Sequence, residues 1–458
     1  MTLIMIGSFS PILCLGTAET LLKEYPFYIG RREIDNAKKL ESGVIGSIVI
    51  ASSFVFFLAV IFPMIIPGQM IGELGAYIRI MLLSAGIGLF SGFLYHRFAA
   101  HQIFKIVAFL DSFRSLLIFI VLVSFSLYWG IEGTVIGYFL VESIVCLVSF
   151  ILSVRYCGKL NIYLNFSYLV SLVKTGFPIS IVWWAYIIQV SVDRGMSMLF
   201  LGKEPTGFYS LGMSITSLFL LFPQVIGRVL YPKVNESIGK GAEKTEIDLI
   251  VMVPTRALSL VTPVASMVFI IFLPILYKNI FTKYYPGLLS AQVLMVGISF
   301  ICIIRGGINY LVSTNRQNKI LHYMFIAIFI NIVLNYILIN NGLNIFGIGL
   351  STVISGFVLS ALIWYGVFTG MMYSKINSFI EVLKLFMPII VMIFIVLPII
   401  WISPPWMLYS YAAVVLLSFL SIILYGIILY NVPFLNCWIM EIIFLFKNNI
   451  MSTKILEA

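Results

Sequence analysis

Long apolar stretches follow one another along almost the whole chain. Windows of about 20 apolar residues predict helices that cross a bilayer, because that length spans the hydrocarbon core. The pattern gives thirteen such spans: 2–18, 43–66, 75–95, 107–129, 132–154, 176–200, 206–230, 251–277, 287–312, 320–339, 345–370, 382–403 and 407–430. The sequence therefore predicts an all-α, polytopic membrane protein.

Lysine and arginine alternate between the loops that join these spans. One set of loops, together with the C-terminal tail, carries nineteen of them, and the other set carries three. Cytoplasmic loops are the ones enriched in Lys and Arg. We therefore expect the basic loops and the C-terminus to be cytoplasmic, in a multi-pass protein of the bacterial inner membrane.

An internal repeat predicts two lobes. The segment Gly130-Ile-Glu-Gly133-Thr-Val-Ile-Gly137 resembles Asn344-Ile-Phe-Gly347-Ile-Gly-Leu-Ser351, and each opens a span after a very short outer turn. Aligning Gly133 with Gly347 matches the fifth span with the eleventh. Parallel repeats of this kind occur in transporters. The predicted N-lobe, 1–155, has five spans, and the predicted C-lobe, 176–370, has six.

Three further segments complete this division of the chain. Residues 156–175 form an amphipathic cytoplasmic linker, 371–436 hold two extra spans, and 437–458 are an interfacial cytoplasmic tail. Because the N-lobe is one span short, we expect its first helix to be missing from this sequence. The corresponding DNA should then contain an upstream in-frame start that encodes one more apolar span; the alternative is a chain that starts here and has lost activity or takes this helix from a partner.

Composition excludes several classes of protein. The chain of 458 residues is 61% hydrophobic and 10% charged, with a mean hydropathy of +1.09, whereas soluble domains carry about 25% charged residues. The net charge of +10 therefore reflects membrane topology and not binding to nucleic acid. The five cysteines and three histidines show no ligand spacing, so we expect no metal or cofactor. No catalytic motif occurs, and we expect no enzyme.

Six arginines lie inside the apolar spans: Arg79, Arg114, Arg194, Arg228, Arg256 and Arg305. A cation at the bilayer centre costs at least about 2.5–3.5 kcal/mol. A chain that keeps six of them is expected to use some to line a wet cavity. Fixed positive charge in a cavity suits an anionic cargo, such as a phosphate-bearing lipid.

The depth of these arginines suggests which of them bind cargo. We expect Arg305 first, then Arg256 and Arg114, to bind the phosphate, because the guanidinium fork matches phosphate oxygens. Arg79 and Arg228 lie near span ends. Anchoring at the interface is the simpler interpretation for Arg228, and for Arg79 it stands equal with a role in the cavity. Trp183, Trp184 and Tyr186 offer faces on which sugars could stack, although packing is the commoner use of aromatic residues in spans.

Acidic residues add a second group of candidates. Asp111 stands three residues before Arg114, so an ion pair within the helix is the alternative to cargo binding. Asp193 and Arg194 are a candidate gate or a structural ion pair, and each needs a separate partner because adjacent residues do not face each other. Glu142 is a candidate site for a coupling ion, or a carboxyl kept neutral by burial.

An ordered set of short motifs resembles a known family over nearly the whole chain. The motifs are Gly176-Phe-Pro178, Asp193-Arg194, Leu201-Gly202, Gly207-Phe-Tyr209-Ser210, Leu230-Tyr231-Pro232, Asn331-Ile-Val-Leu-Asn335-Tyr-Ile-Leu338 and Gly347-Ile-Gly349-Leu-Ser-Thr352. Together they resemble the polysaccharide-biosynthesis (O-antigen flippase) branch of the multidrug/oligosaccharidyl-lipid/polysaccharide (MOP) exporter superfamily. The resemblance implies twelve or fourteen helices in two lobes around a central cavity.

The resemblance also implies a function. The chain would translocate an undecaprenyl-diphosphate-linked oligosaccharide across the inner membrane by alternating access, for O-antigen or capsule biosynthesis. Its partners would be that glycan, the lipid bilayer, the polysaccharide polymerase and the chain-length machinery. One alternative is a cation-coupled multidrug exporter of the same fold, which would need an acidic, aromatic cavity. Another is a membrane-embedded polysaccharide polymerase, against which the small outer loops argue.

Overall fold

The computed structural model describes residues 13–65, 68–371, 373–402 and 410–447, and within these ranges the chain is helical with no β-strand. This confirms the all-α fold class. Most of the predicted first span and part of the predicted tail lie outside the described residues. The helices are α1 Thr17–Gly30, α2 Ile34–Ile65, α3 Gly68–Ala100, α4 Phe104–Leu117, α5 Val123–Cys157, α6 Phe166–Phe200, α7 Lys203–Ser217, α8 Leu221–Gly239, α9 Lys244–Asn279, α10 Leu288–Ser313, α11 Gln317–Leu338, α12 Asn344–Gly370, α13 Lys375–Ile402, α14 Tyr411–Asn431 and α15 Pro433–Lys447.

In the described ranges, ten helical stretches are long and apolar enough to cross a membrane. Two of them, Phe104–Cys157 and Gln317–Gly370, have 54 residues each, far more than the roughly 20 that one crossing needs. Gly130 interrupts the first with a φ of 58°, and Gly342 interrupts the second with a φ of 82°. Each stretch therefore folds back into a hairpin with two crossing segments, as the pairs of predicted spans require.

The repeated glycines explain how both hairpins close. A Cβ atom on Gly133 would lie 1.9 Å from the carbonyl oxygen of Phe125, and one on Gly347 would lie 2.8 Å from the Cβ atom of Leu338. Both distances are shorter than a carbon atom tolerates, so only glycine lets the two arms approach this closely. The repeat seen in the sequence is thus a packing motif at two equivalent turns.

The helices extend beyond the predicted spans. The sequence predicts a separate amphipathic linker at 156–175 and a span at 176–200, but α6 begins at Phe166 inside the linker and continues without a break to Phe200. Gly176 is tolerated in α6 because it packs against the backbone of Gly16, where a Cβ atom would lie 2.0 Å from the carbonyl oxygen. Likewise α8 continues past residue 230 to Gly239, and α1 occupies part of the predicted first cytoplasmic loop.

Contacts divide the chain into two compact units. The first unit comprises residues 1–181 with 231–242, and the second comprises 182–230 with 243–458. The first has an apolar core built mainly from α1, α2 and α3, to which α6 adds the buried Leu172. In the second, α10 and α12 pack closely, and the buried indole of Trp364 donates a hydrogen bond of 3.1 Å to the carbonyl oxygen of Ile303.

Candidate functional site

A cavity of about 350 Å³ lies within the second unit, between α6, α7, α8, α10, α11 and α12. Most of its wall is apolar, and its volume falls in the range of small-molecule sites, about 300–1,000 Å³. The charged side chains that the described residues contribute to it are Asp193, Arg194 and Arg305. The structure therefore brings three of the predicted site residues to one cavity.

Arg305 is half-buried on α10 and is held by an aromatic ring. Its guanidinium carbon lies 4.3 Å from the ring centre of Trp183 on α6, a cation–π contact. On α8, Gly227 lies close to Arg305: a Cβ atom at this position would be 3.5 Å from that of Arg305, an ordinary van der Waals distance. Asn309 fixes this crossing by donating a 2.8 Å hydrogen bond to the carbonyl oxygen of Gly227. The ring of Trp183 thus orients a cation in the cavity wall.

Asp193 lies at the centre of a polar network that joins four helices, and it is only 1% exposed. Its Oδ1 accepts hydrogen bonds of 3.0 Å from the side-chain amides of Asn331 and Asn335. Its Oδ2 accepts hydrogen bonds of 2.7 Å from Thr352 and 3.1 Å from the hydroxyl of Tyr209. Four donors therefore satisfy this carboxylate. Sequence reasoning did not connect these four partners to Asp193, although three of its motifs contained them.

Arg194 and Gln189, unlike Asp193, each have a buried polar atom that is not hydrogen-bonded within the described residues. Arg194 Nε and Gln189 Oε1 are buried, and neither has a hydrogen-bond partner in the part of the chain that the structure describes. Both side chains line the cavity. The side chain of Asp193 leaves α6 in a different direction from that of Arg194, because successive residues of a helix are rotated by about 100°. Asp193 and Arg194 therefore have separate surroundings, and Arg194 contributes its charge to the cavity.

In the first unit, Arg114 pairs with Glu142 and not with Asp111. Arg114 Nη2 donates to Glu142 Oε1; the glutamate side chain is 3% exposed and the arginine side chain 44%. Asp111 instead accepts a 2.9 Å hydrogen bond from the hydroxyl of Tyr95. The residue predicted to bind cargo and the residue predicted to bind a coupling ion thus form a single ion pair. Both roles stay predictions.

Arg256 contacts the last described helix. Its Nη1 atom lies 2.8 Å from Glu441 Oε2, and its guanidinium carbon lies 5.1 Å from the ring centre of Trp438. Both partners belong to α15. Arg256 is not among the residues that line the described cavity. A tether for α15 accounts for these contacts better than the expected phosphate ligand does.

The sequence interpretation missed a further buried arginine. Arg97 was counted as a loop charge, but it is 2% exposed at the end of α3. It forms a salt bridge with Glu41 and donates hydrogen bonds to Ser153 Oγ and, at 3.0 Å, to the carbonyl oxygen of Cys157. The cation therefore satisfies a carbonyl at the C-terminal end of α5, where carbonyls lack intrahelical partners. The sequence did hold a signal for this salt bridge, since Glu41 and Arg97 stand at the ends of two neighbouring predicted spans.

The six arginines thus occupy three kinds of environment. Arg305 and Arg194 line the cavity of the second unit, and Arg114 and Arg256 belong to ion pairs. The side chains of Arg79 and Arg228 are exposed. Their common occurrence in apolar spans therefore does not predict what their side chains contact.

Comparison with known proteins identifies the fold. No protein-family model matches the chain, and no curated protein sequence matches it significantly. Among solved structures, a Vibrio cholerae MATE transporter matches with a TM-score of 0.64 and 15% identity over 82% of this chain and 90% of that chain. A multidrug resistance MATE family transporter of the MOP superfamily, in an outward-facing conformation, matches with a TM-score of 0.65 and 14% identity over 83% and 86%.

A MOP superfamily transporter from Pyrococcus furiosus also matches, with a TM-score of 0.61 and 13% identity over 83% of this chain and 86% of that chain. Its binding pocket is described as having reverse polarity, which suggests a different function for that protein. Identities this low establish the fold alone. The chain has the multi-pass helical fold of the MATE transporters of the MOP superfamily.

Proposed function

We propose that this protein translocates an anionic amphiphile across the membrane, and specifically a lipid-diphosphate-linked oligosaccharide. The observation that carries the proposal is the charge of the cavity in the second unit. Arg194 and Arg305 line it, while the carboxylate that the described residues contribute to its wall, that of Asp193, is already bonded to four donors. Two guanidinium groups against one carboxylate favour an anionic cargo.

Arg305 is the first residue expected to contact the diphosphate. Its planar fork can donate two parallel hydrogen bonds to phosphate oxygens, which a lysine cannot do. The ring of Trp183 limits the number of positions that the guanidinium can occupy. Less conformational freedom is then lost when the phosphate binds. The lipid tail would stay in the bilayer while only the charged head group and glycan enter the cavity.

The proposed transport step is alternating access, the mechanism of many transporters built from repeated helical bundles. Lipid-linked repeat units would enter from the cytoplasmic leaflet of the bacterial inner membrane and leave in the outer leaflet. A polymerase and chain-length machinery would then assemble them into O-antigen or capsule. The likeness in fold to transporters supports translocation, and the basic cavity supports an anionic cargo.

Deletion of the gene tests this proposal. We expect the deletion strain to lose one surface polysaccharide and to accumulate its lipid-linked repeat units facing the cytoplasm. Expression of the wild-type chain from a plasmid should restore the polysaccharide. Normal polysaccharide in the deletion strain, with no second flippase present, would exclude the proposed function.

Multidrug export is the second candidate, and the structural neighbours favour it because one is a multidrug resistance transporter. A cationic drug would bind best beside an available carboxylate. Asp193 would have to release its amide and hydroxyl donors to serve, and the nearby arginines would repel the drug. Resistance to ethidium distinguishes the two functions. Expression of the chain in the deletion strain should raise this resistance only if the protein exports cationic drugs.

A further inference from the structure

The two cavity arginines lie at different levels of the second unit. Arg305, on α10, lies against Trp183 of α6. Arg194 also belongs to α6 and follows Trp183 by eleven residues. At 1.5 Å per residue, Trp183 and Arg194 are separated by about 16 Å along the helix axis, or about three turns. Both arginines nevertheless line one continuous cavity. The cavity therefore presents positive charge near each of two separate points.

One diphosphate cannot occupy both points. Its two phosphorus atoms share a bridging oxygen, so the whole group is far shorter than three helical turns. If the diphosphate is bound at Arg305, as proposed above, Arg194 must face another part of the cargo. That part belongs to the glycan, because the lipid tail remains outside the cavity.

The surroundings of Arg194 indicate what this part of the cargo carries. Arg194 Nε is a buried donor without an acceptor, and Gln189 Oε1 is a buried acceptor without a donor, within the described residues. Leaving such groups unsatisfied costs about 1–3 kcal/mol each, so a ligand that completes both gains affinity. Asp193, the nearest acid in sequence, is occupied by its own network. A sugar that bears an anionic group beside a hydroxyl has both missing partners.

We propose that Gln189 and Arg194 form a subsite for an oxyanion on the glycan, carried by an acidic sugar. The oxyanion is a sugar carboxylate or a sugar phosphate, and it accepts hydrogen bonds from the guanidinium of Arg194. A neighbouring sugar hydroxyl donates to Gln189 Oε1. The inference rests on the proposed function, since it takes the diphosphate to be at Arg305. It makes Arg194 a determinant of glycan specificity.

The test is a binding measurement on the full chain in lipid nanodiscs. Three probes share a short-chain polyprenyl diphosphate and a trisaccharide, and their terminal sugar is glucuronate, glucose 6-phosphate or glucose. We expect the wild-type protein to bind at least one acidic probe about ten- to a hundredfold more tightly than the glucose probe, the range of a charge-assisted hydrogen bond. Comparison of the two acidic probes identifies whether the oxyanion is carboxylate or phosphate.

Variants assign this preference to a residue. Arg194→Gln should lower the ratio of acidic to neutral affinity to about one, and Arg194→Lys should keep part of it. Arg305→Gln should weaken all three probes by a similar factor and keep the ratio. Arg79→Gln, which removes an exposed arginine outside the cavity, should keep both affinity and ratio. Thermal unfolding of each variant identifies any that is not folded.

Three results would overturn the inference, and they differ in their consequences for the proposed function. Equal affinity of the wild type for all three probes, with Arg305→Gln still weakening them, rejects the acidic subsite and leaves the proposed function standing. If a folded Arg194→Gln variant still prefers the acidic probes, the preference arises from residues other than Arg194. Failure of the wild type to bind any probe contradicts the proposed function and the subsite together.

Discussion

At the scale of a residue, the buried carboxylate of Asp193 connects four helices through its hydrogen bonds. Replacing Asp193 with alanine would remove one acceptor from each of Asn331, Asn335 and Thr352, although each also donates to a second acceptor. Loss of a buried hydrogen-bonded partner costs about 1–3 kcal/mol, so we predict that Asp193→Ala lowers the unfolding free energy by about 1–3 kcal/mol. Thermal unfolding of the purified protein measures this. Glu132→Ala, at an exposed acid, should stay within about 0.5 kcal/mol of wild type, and equal stability of the two variants would disprove the structural role.

Arg305 is the residue on which the proposed chemistry depends most. We predict that Arg305→Ala reduces export by about ten- to a hundredfold, the range expected when a charge-assisted hydrogen bond is lost. Arg305→Lys should retain part of the export, because it keeps the charge but not the bidentate fork. The readout is surface polysaccharide in a complemented deletion strain, normalised to protein abundance. Removing a charge from a membrane-spanning segment eases insertion, so wild-type export by Arg305→Ala would remove this residue from the site.

The sequence could identify arginines in apolar spans, but it could not identify their partners. Glu441, the partner of Arg256, lies 185 residues later in the chain, and no local spacing connects the two. Arg97 looks like a loop charge because it stands at the end of a span, yet tertiary packing buries it beside Glu41. Local pattern sets the depth of a residue, whereas packing between distant segments decides what it contacts.

At the scale of the element, α15 provides a direct test of a long-range contact. Arg256 and Glu441 are partly buried, with side chains 21% and 32% exposed. We predict that Arg256→Glu and Glu441→Arg each lower the unfolding temperature and that the double exchange recovers most of the loss. The coupling energy should be about 1 kcal/mol, near the upper end for partly exposed pairs. Additive effects of the two exchanges in thermal unfolding would mean that the pair does not hold α15.

The elements themselves were predictable to different degrees. Apolar runs located the crossing segments, and the repeated glycines located two hairpin turns. Helix ends were predicted less well, because apolarity marks only the part of a helix within the hydrocarbon. Charged residues such as lysine and glutamate are good helix formers, so α1, α6 and α8 extend through segments that appeared to be loops or linkers.

At the scale of the whole molecule, the charge asymmetry between loops predicts the topology. We expect residues 22–41, 231–248 and 313–319 to be cytoplasmic, and 67–74 and 340–344 to be outside. Two exposed asparagines give a matched pair of single-cysteine variants, Asn36→Cys and Asn341→Cys, in a cysteine-free background. An impermeant maleimide applied to intact cells should label residue 341 and leave residue 36 unlabelled. Labelling of residue 36 from outside would invert the topology.

The fold alone does not identify the cargo, because neighbours at 13–15% identity share the architecture and little else. The cargo proposed for this chain rests on the balance of charge in one cavity, with two arginines against a carboxylate that is already bonded to its donors. This balance arises from the packing of six helices, and no single motif in the sequence contains it. The predicted preference for an anionic amphiphile depends on that packing.

Transport by the purified protein in liposomes tests this preference most directly. The substrates are a fluorescent short-chain polyprenyl-diphosphate trisaccharide and the cation ethidium, compared at the same protein density in the presence of an ion gradient. We predict that the wild-type protein moves the diphosphate lipid between leaflets and does not move ethidium. Arg305→Ala should lose this movement, whereas Arg79→Ala should keep it. Movement of ethidium, with the diphosphate lipid left in its original leaflet, would contradict the account.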